Sequence, residues 1–267
     1  MSSDWTIVVP AFTIDNKKLK VLLVDSSNHT AAGGWMLPKT PIGNEECSGM
    51  ATRNALLKVN IGPPECVFIK QLYTFTERGE TLCSRNITTA YIALMPSKVA
   101  LSVSAENSAN FAQWFEVEKT IEQEDTVSRQ YAISLSSRSD LPNPQEIIWY
   151  RVSEEIIGNA VRTSHEALPE KSTSILAGNC IEIIDMALKE LSCHPVSSGH
   201  IFHLLPEHFT LSELKHAYEA TTGRKVDRSN FRRQVQSWIK PTGTSTLYWG
   251  HHTDLYAAIP QLEQPGL

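Results

Sequence analysis

The sequence predicts an α/β protein in which a mixed sheet with flanking helices precedes a small C-terminal domain of three helices. Runs of β-branched and aliphatic residues, separated by turn residues, fill the first half of the chain. Helices with one apolar face follow residue 179, where capping residues mark their ends. At 267 residues, with 41% hydrophobic and 20% charged residues, the chain is long enough for two globular domains.

The strand-like runs come in pairs. Residues 5–14 and 19–24 flank the polar turn 15–18 and predict a hairpin. The segments CVFIKQLYTFTE and NITTAYIALMP predict two further strands. Between residues 119 and 178 the pattern suggests two more strands and a helix over SEEIIGNAVRTSHEAL, residues 153–168.

The stretch from Trp35 to Gly62 contains a degenerate motif. It resembles a Nudix box, the strand-loop-helix motif in which Nudix hydrolases hold Mg²⁺ and cleave nucleoside diphosphates linked to another group. The family pattern is G-x5-E-x7-R-E-U-x-E-E-x-G-U, with U aliphatic, and Glu46 and Leu56 match it. The positions of the first glycine, the arginine and the three helix carboxylates are occupied by Thr40, Asn54, Ala55, Lys58 and Val59.

The chemistry of Mg²⁺ gives this replacement a meaning. Positions 55, 58 and 59 share a helix face, so three carboxylates there would form a metal platform. A methyl, an ammonium and an isopropyl group stand there instead, and an ammonium repels a cation. We therefore predict no catalytic residue, no metal and no cofactor. On its residues alone, an ordinary amphipathic helix unrelated to Nudix proteins remains the alternative.

The segments around the box resemble those of the Nudix-related transcriptional regulators. QLYTF at 71–75, Arg85 and AYIAL at 90–94 carry the resemblance. In such regulators a Nudix domain senses a small molecule, which is ADP-ribose in the NAD-metabolism group and a sugar in others. By position in that fold, the predicted ligand-binding residues are Trp35, Glu46, Arg53, Tyr73, Phe75, Arg85 and Tyr91. The aromatic ones fit a core equally well, and Arg53 fits an ion pair with Glu46.

The C-terminal helices have clear boundaries. The segment 180–192 is amphipathic, Thr210 and Glu213 form a capping box for a second helix that ends at Gly223, and Asp227 can cap a third. The residues predicted to face inward are Ile181, Ile184, Leu188 and Leu191 on the first helix, Leu211, Leu214 and Tyr218 on the second, and Phe231, Val235 and Trp238 on the third. This arrangement predicts a helix-turn-helix.

Positive charge is concentrated around the third helix. Residues 221–240 hold six of the 24 Lys and Arg and one acid, a net +5 in a chain of net −5. The run 204–235 resembles the winged helix of the same regulators, which implies that the third helix enters the major groove. The predicted DNA-binding residues are Thr210, Ser212, Arg224, Lys225, Arg228, Ser229, Asn230, Arg232, Arg233 and Lys240. A solvated helix face paired with acids of the other domain is the alternative for the arginines.

The predicted wing hairpin, residues 242–259, contains His251, His252 and Asp254 but no Lys or Arg. Relatives have arginine and glycine in this loop, so we expect weaker, more salt-sensitive or strictly dimeric DNA binding. A winged helix that binds protein is a further alternative. Adjacent histidines without a second ligand pair are expected to be surface residues.

Five scattered cysteines with no C-x-x-C pair argue against a disulfide framework and a zinc site. No apolar run reaches membrane-spanning length and the N-terminus has no signal-peptide pattern, so the expected compartment is the cytoplasm and no membrane partner is expected.

Together these observations predict a Nudix-like α/β/α sandwich with a mixed sheet, followed by a C-terminal winged helix-turn-helix domain. The expected bounds are 1–170 for the ligand-sensing domain, 171–178 for a linker, 179–260 for the winged helix and 261–267 for a tail. The predicted function is that of a homodimeric, ligand-responsive regulator of operator DNA, with an ADP-ribose-like molecule or a sugar as effector. The alternative is a nucleotide hydrolase whose metal ligands come from Glu116, Glu118, Glu122, Glu124 and Asp125.

Overall fold

The computed structural model describes residues 3–26, 34–43, 46–59, 61, 67–78, 85–100, 111–137, 145–248 and 251–260. The strands are β1 Ser3–Val8, β2 Ala11–Asp15, β3 Lys18–Asp25, β4 Trp35–Met36, β5 Lys39–Pro41, β6 Phe68–Arg78, β7 Arg85–Leu94, β8 Ala112–Glu124, β9 Ser128–Ser136, β10 Ile147–Ile157, β11 Ala160–Ala167, β12 Phe209–Thr210, β13 Ile239–Tyr248 and β14 His251–Ala258. The α-helices are α1 Ser48–Leu57, α2 Ser97–Ala100, α3 Cys180–Ser192, α4 Leu211–Thr222 and α5 Arg228–Val235. Short 3-10 helices lie at Pro169–Lys171 and His200–Leu204.

Eleven strands form one large sheet. Its order is β11-β10-β9-β8-β3-β2-β7-β1-β5, with β4 added to β3 and β6 to β7. The parallel pairs β1–β7 and β2–β7 make the sheet mixed. Helix α1 lies on one face, where Lys58 reaches Thr40, and α3 lies on the other, where Lys70 pairs with Glu190. The predicted α/β/α arrangement with a mixed sheet is therefore confirmed.

The N-terminal hairpin differs from its prediction in one respect. The expected strand over residues 5–14 is interrupted at Val9 and Pro10, so β1 pairs with β5 and β7 while β2 pairs with β3. The β2–β3 turn is tight because Asn16 and Lys17 adopt φ values of 51° and 65°. This turn projects toward the C-terminal domain.

The helix predicted over residues 153–168 is wrong. The segment forms the end of β10 and the whole of β11, which meet in a turn at Gly158 with φ +62°. The hairpin pairs Ile156 with Val161 and Val152 with His165. Buried and partly buried side chains alternate along β10 from Ile147 to Val152, which is the two-residue period of a strand. Together, β8–β11 form a four-stranded extension of the sheet.

Helix α3 packs in the larger of two hydrophobic cores. Ile181, Ile184, Leu188 and Leu191 are buried there, as their spacing predicts. The segment before α3 is tied to the sheet, because Trp35 donates its N–H to the Ile175 carbonyl at 2.9 Å and accepts from Ala177 at 2.8 Å. The predicted linker thus runs as a bonded strand-like segment beside β4.

The second core belongs to the winged helix. Phe209, Leu214, Phe231 and Val235 are buried in it, and a three-stranded sheet of order β12-β14-β13 covers it. The third predicted helix ends at Val235, and Ile239 opens β13. The wing hairpin is present, although its turn at 249–250 lies outside the described residues.

Among the helices in the described ranges, none is long and apolar enough to cross a membrane.

Candidate nucleic-acid interface and ligand surface

Helix α5 is held by its cap and by two buried side chains. The Asp227 carboxylate accepts from the backbone N–H groups of Ser229 and Asn230, both at 3.0 Å. These bonds, led by the one from Asn230, lower the pKa of Asp227. Phe231 is only 1% exposed and its ring lies 5.3 Å from that of Tyr218 on α4. The apolar side of α5 is therefore fixed against α4, which aims its other side outward.

The outward side of α5 is basic. Arg228, Ser229, Asn230, Arg232 and Arg233 are all exposed. Arg233 donates to the Asn230 side chain, but within the described ranges none of the three arginines forms an ion pair with a carboxylate. The alternative of an arginine face neutralised by acids of the first domain is not what the structure has. Unpaired guanidinium groups on one helix face are suited to phosphates and base edges.

The remaining predicted DNA-binding residues fall into two groups. Ser212, Arg224, Lys225 and Lys240 are exposed around α4 and α5, and Lys225 lies 3.7 Å from Glu219 with its side chain 91% exposed. Thr210 differs because it is buried: its hydroxyl accepts from the Glu213 N–H at 3.1 Å, and Glu213 accepts from the Thr210 N–H at 2.7 Å. The capping box predicted from the sequence is confirmed, and it occupies Thr210, so we leave this residue out of the interface.

The Nudix-box groove lies between β5 and the start and end of α1. It has a volume of about 600 Å³ and is lined by Thr40, Pro41, Ile42, Gly43, Glu46, Asn54, Leu57 and Lys58. The Asn54 amide donates to one oxygen of Glu46, and the Gly43 N–H donates to the other at 3.2 Å. Lys58 donates to the Thr40 hydroxyl at 2.8 Å. Two of the replacing residues, Lys58 and Thr40, therefore bond to each other, and a third, Asn54, bonds to the matching Glu46.

The predicted ligand-binding residues do not converge on one point. Trp35 is buried, with its ring 4.8 Å from Phe115, and is a core residue. Tyr73 and Phe75 contact each other at 5.0 Å on the α3 face of β6, and Tyr73 is 53% exposed. Tyr91 lies on the opposite face, because its neighbour Ala90 is the residue in register with Tyr73.

Three ligand candidates remain to be located. Glu46 lines the groove, whereas Arg53 is exposed on α1 and makes no ion pair with Glu46 within the described residues. Arg85 begins β7, and its side chain lies outside the described residues. Thr40, Asn54 and Lys58 also line the groove, and their positions in the box are the sequence signal that could have identified them.

The carboxylates of the hydrolase alternative are mostly engaged. Glu118 pairs with Lys18, Glu122 lies 3.4 Å from Arg151, and Glu124 lies 2.5 Å from Arg129. Asp125 accepts from the N–H groups of Val127 and Ser128 in a turn. In the part of the chain that the structure describes, no group of three or more His, Cys, Asp or Glu could hold a metal ion.

A buried polar network joins α3 to the sheet extension. Asp185, 1% exposed, accepts from the Tyr131 hydroxyl at 2.7 Å and lies 3.0 Å from His165 Nε2 and 2.9 Å from the Lys189 ammonium. Lys189 also reaches Glu154 at 2.6 Å. Burial opposes ionisation of Asp185, but the hydrogen bonds from His165, Tyr131 and Lys189 prevail and lower its pKa. No local sequence pattern predicts this network, because its members lie on four separate elements, α3, β9, β10 and β11.

Comparison with known proteins identifies the winged helix and the overall fold. Residues 201–256 match the family model of the NrtR DNA-binding winged helix domain. No significant match to a curated protein is found. Among solved structures, Shewanella oneidensis NrtR complexed with a 27mer DNA is 22% identical with a TM-score of 0.61, and covers 96% of this chain and 93% of its own. A MutT/nudix family protein from Enterococcus faecalis is 17% identical with a TM-score of 0.68, over 97% of this chain and 89% of its own.

The molecule thus joins a Nudix-like sheet to a winged helix of the NrtR type. The resemblance to Nudix-related regulators drawn from QLYTF and the run 204–235 is confirmed at the level of architecture over nearly the whole chain.

Proposed function

We propose that the protein is a ligand-responsive transcriptional regulator that binds operator DNA through its winged helix. The observation that carries this proposal is the exposed face of α5, where Arg228, Arg232 and Arg233 have no carboxylate partner among the described residues. A desolvated arginine fork bonds guanine or phosphate bidentately, and a helix fits the major groove of B-DNA. The S. oneidensis relative carries DNA in its solved structure, which supports the same role here.

The proposed DNA contacts fall into two groups, those to base edges and those to phosphates. Arg228, Ser229, Asn230, Arg232 and Arg233 on α5 would meet base edges, where arginine reads guanine and asparagine reads adenine. Ser212, Arg224, Lys225 and Lys240 would meet phosphates, which position the protein without specifying sequence. Because the described part of the wing strands contains only Lys240 as a basic residue, one copy neutralises few phosphates. We therefore propose a homodimer on a two-fold operator, in the compartment that holds the DNA, the cytoplasm.

For the effector we propose a nucleotide sugar such as ADP-ribose, or a sugar, on the Nudix-like domain. Two surfaces support this. On the α1 face, the groove lined by Glu46, Asn54 and Lys58 offers hydrogen-bond donors and acceptors. On the opposite face, the exposed pair Tyr73 and Phe75 is a separate surface on which a base can stack. Arg53, Arg85 and Tyr91 complete the proposed set by their position in the fold, and Trp35 supports it from the core.

We further propose that the domain does not hydrolyse its ligand. Ala55 and Val59 stand at two carboxylate positions of the box and are buried, and Lys58 stands at the third with its ammonium bonded to Thr40. None of these side chains can bind a hard cation through oxygen. Removing the charge of Glu46, the one matching acid, is accordingly expected to change ligand affinity and not a turnover rate.

The decisive experiment is a gel-shift titration of the full-length protein with the DNA upstream of its own gene, at two salt concentrations, with ADP-ribose, NAD or simple sugars added. A retarded band that weakens with salt and responds to one compound is expected. No band at low salt would contradict the proposal and favour a protein-binding winged helix. Incubation with ADP-ribose and Mg²⁺ tests the other half, since metal-dependent release of phosphate or a nucleoside monophosphate would establish a hydrolase.

A further inference from the structure

A second cleft lies between the two domains, away from the Nudix-box groove. It is bounded by the β2–β3 turn, the middle of β8, the end of α3, and α4 with the turn after it, and its volume is about 980 Å³. The winged helix lies against the sheet here. Gly223 faces the Lys119 carbonyl oxygen so closely that a side chain at position 223 would place its Cβ 3.9 Å from that oxygen. The size suits a small-molecule site.

The lining of this interdomain cleft is positive. Its charged residues are the cations Lys17, Lys18, Lys119, Arg129, Arg224 and Lys225 and the acids Glu118, Glu124 and Glu219. The net charge is +3 in a chain whose net charge is −5. A concave surface with one sign of charge between low-dielectric walls concentrates ions of the opposite sign.

The three acids are already used. Glu118 pairs with Lys18, and Glu124 pairs with Arg129 at 2.5 Å. Glu219 is shared by Lys215 at 2.9 Å and Lys225 at 3.7 Å.

Three lining cations are therefore left without a carboxylate at ion-pair distance. Within the described ranges, Lys17, Lys119 and Arg224 form no ion pair. Lys17 and Arg224 are exposed at the two rims, one on each domain. The excess charge of the cleft is therefore carried by these three side chains.

Lys119 is the most informative of the three. Its ammonium lies 3.6 Å from the centroid of the Tyr131 ring, and the Tyr131 hydroxyl is held by Asp185 at 2.7 Å. The ring is thus fixed and holds the ammonium in place. Burial lowers the pKa of Lys119, and the nearby Asp185 and Glu154 carboxylates offset this effect only in part. A bound anion would add to the stabilisation of its charged form.

We propose that the interdomain cleft binds a small phosphate-bearing anion through Lys17, Lys119 and Arg224. A guanidinium group bonds phosphate bidentately, and two ammonium groups add point charges from the other side. Lys17 and Lys119 belong to the sheet, whereas Arg224 belongs to the winged helix. The anion would therefore bridge the two domains and fix their relative placement, as a second input beside the effector of the Nudix-like domain.

The test is isothermal titration of the full-length protein with inorganic pyrophosphate at low ionic strength and without DNA. One saturable site per chain is expected. Lys17→Asn and Lys119→Met are each expected to weaken binding about tenfold, the value of one charge-assisted hydrogen bond. Asparagine tolerates the left-handed backbone of residue 17. Arg162→Gln is the matched control, because Arg162 is an exposed residue on β11 that forms no ion pair with any described residue.

No saturable binding, or equal affinity in Lys17→Asn and the unaltered protein, would overturn the proposal. Lys17 is exposed, so this variant answers the question even if Lys119→Met fails to fold in a melting control. A gel shift on Lys17→Asn without pyrophosphate separates the sources of phosphate. Retention of the DNA band supports a small-anion site, whereas loss of the band assigns the lysine to the DNA surface and overturns it. The titration needs no DNA, so it stands or fails independently of the regulator proposal.

Discussion

In the Nudix-box groove, Lys58 donates to Thr40 and Asn54 donates to Glu46, whereas on α5 the guanidinium groups of Arg228 and Arg232 have no carboxylate partner among the described residues. Both regions have exposed polar side chains. Those of the groove form hydrogen bonds within the groove, whereas the arginines of α5 have no carboxylate partner among the described residues. The groove is stable without a metal, because Lys58 and Asn54 each have a polar partner and Ala55 and Val59 are buried. Unpaired like charges on one helix repel each other and lower the stability of the folded state unless a polyanion neutralises them. This difference supports the proposals that α5 binds DNA and that the box does not hold a metal.

The largest effect is expected when the packing of α5 itself is disrupted. Phe231→Ala removes a fully buried ring that packs against α4, and is expected to lower the free energy of unfolding by about 3–5 kcal/mol. Chemical denaturation followed by fluorescence or circular dichroism measures this. A loss below about 1 kcal/mol would mean that α5 is not anchored as described.

The neighbouring residues on the same helix separate binding from folding. Arg232→Ala with Arg233→Ala is expected to weaken operator binding by about 3 kcal/mol, roughly a hundredfold, and to lower its salt dependence. Stability should change little because both side chains are exposed. Gel-shift titrations at two salt concentrations measure the effect, with Arg162→Ala as a control that removes one exposed arginine outside α5. Equal affinity in the double variant would remove α5 from the interface.

The buried network offers a pH-dependent comparison with these exposed charges. Because the folded-state pKa of Asp185 lies below its ordinary value of 3.8, its stabilising contribution is present above that value and is lost as the pH falls through the lowered pKa. Asp185→Asn is expected to cost about 2 kcal/mol at neutral pH, the value of hydrogen bonds to a charged group. In this variant the free energy of unfolding should also fall less steeply as the pH is lowered below neutrality. An unchanged pH dependence would show that Asp185 does not titrate in acid unfolding.

The capping box gives a smaller effect. Thr210→Ala removes the acceptor for the Glu213 N–H and is expected to destabilise the winged helix by about 1 kcal/mol. Thr210→Ser should retain most of the stability, since serine caps equally well. If Thr210→Ala weakens DNA binding in proportion to that destabilisation and no further, the residue acts through the helix alone. An additional loss would restore it to the interface.

The smallest effect is expected in the groove. Lys58→Met keeps the apolar stem of the side chain but removes its bond to Thr40, which costs about 0.5–1 kcal/mol. DNA binding in the absence of effector should be unaffected, because the groove belongs to the Nudix-like domain and α5 belongs to the winged helix. Titration with ADP-ribose then measures whether the ammonium contributes to effector affinity. The charge-neutral control is Thr40→Val, which breaks the same bond from the other side.

Local sequence features predicted the winged helix well. The Thr210 and Glu213 box, the Asp227 cap and the spacing of Phe231 and Val235 are each contained within a few residues, and each forms as its pattern indicates. The period-two alternation of β10 and β11 was mistaken for a helix because the segment around Gly158 is short and rich in Glu and Ala. Its strand state is fixed by pairing with β9, which is not a local property.

The candidate sites were predicted less completely, for the same reason. Trp35 was expected beside a ligand, but distant Phe115 and Leu176 bury it. The partners of Lys58 and Asn54 lie 18 and 8 residues away and depend on how the loop folds back. The contact of Gly223 with β8 joins residues more than a hundred positions apart. The fold brings the residues of such sites together from distant parts of the chain. A sequence pattern can identify the residues but not their contacts.

The strand-like segment before α3 determines where the chain can be divided. Cutting within residues 171–178 would deprive the Trp35 N–H of its acceptor and strip α3 from the core that its apolar face covers. We therefore propose that a separable DNA-binding fragment begins after Ser192, a cut that removes Leu204 from the larger core but leaves α3 in it. A sheet excised with α3 attached should express as a folded unit, whereas one ending at residue 170 should precipitate.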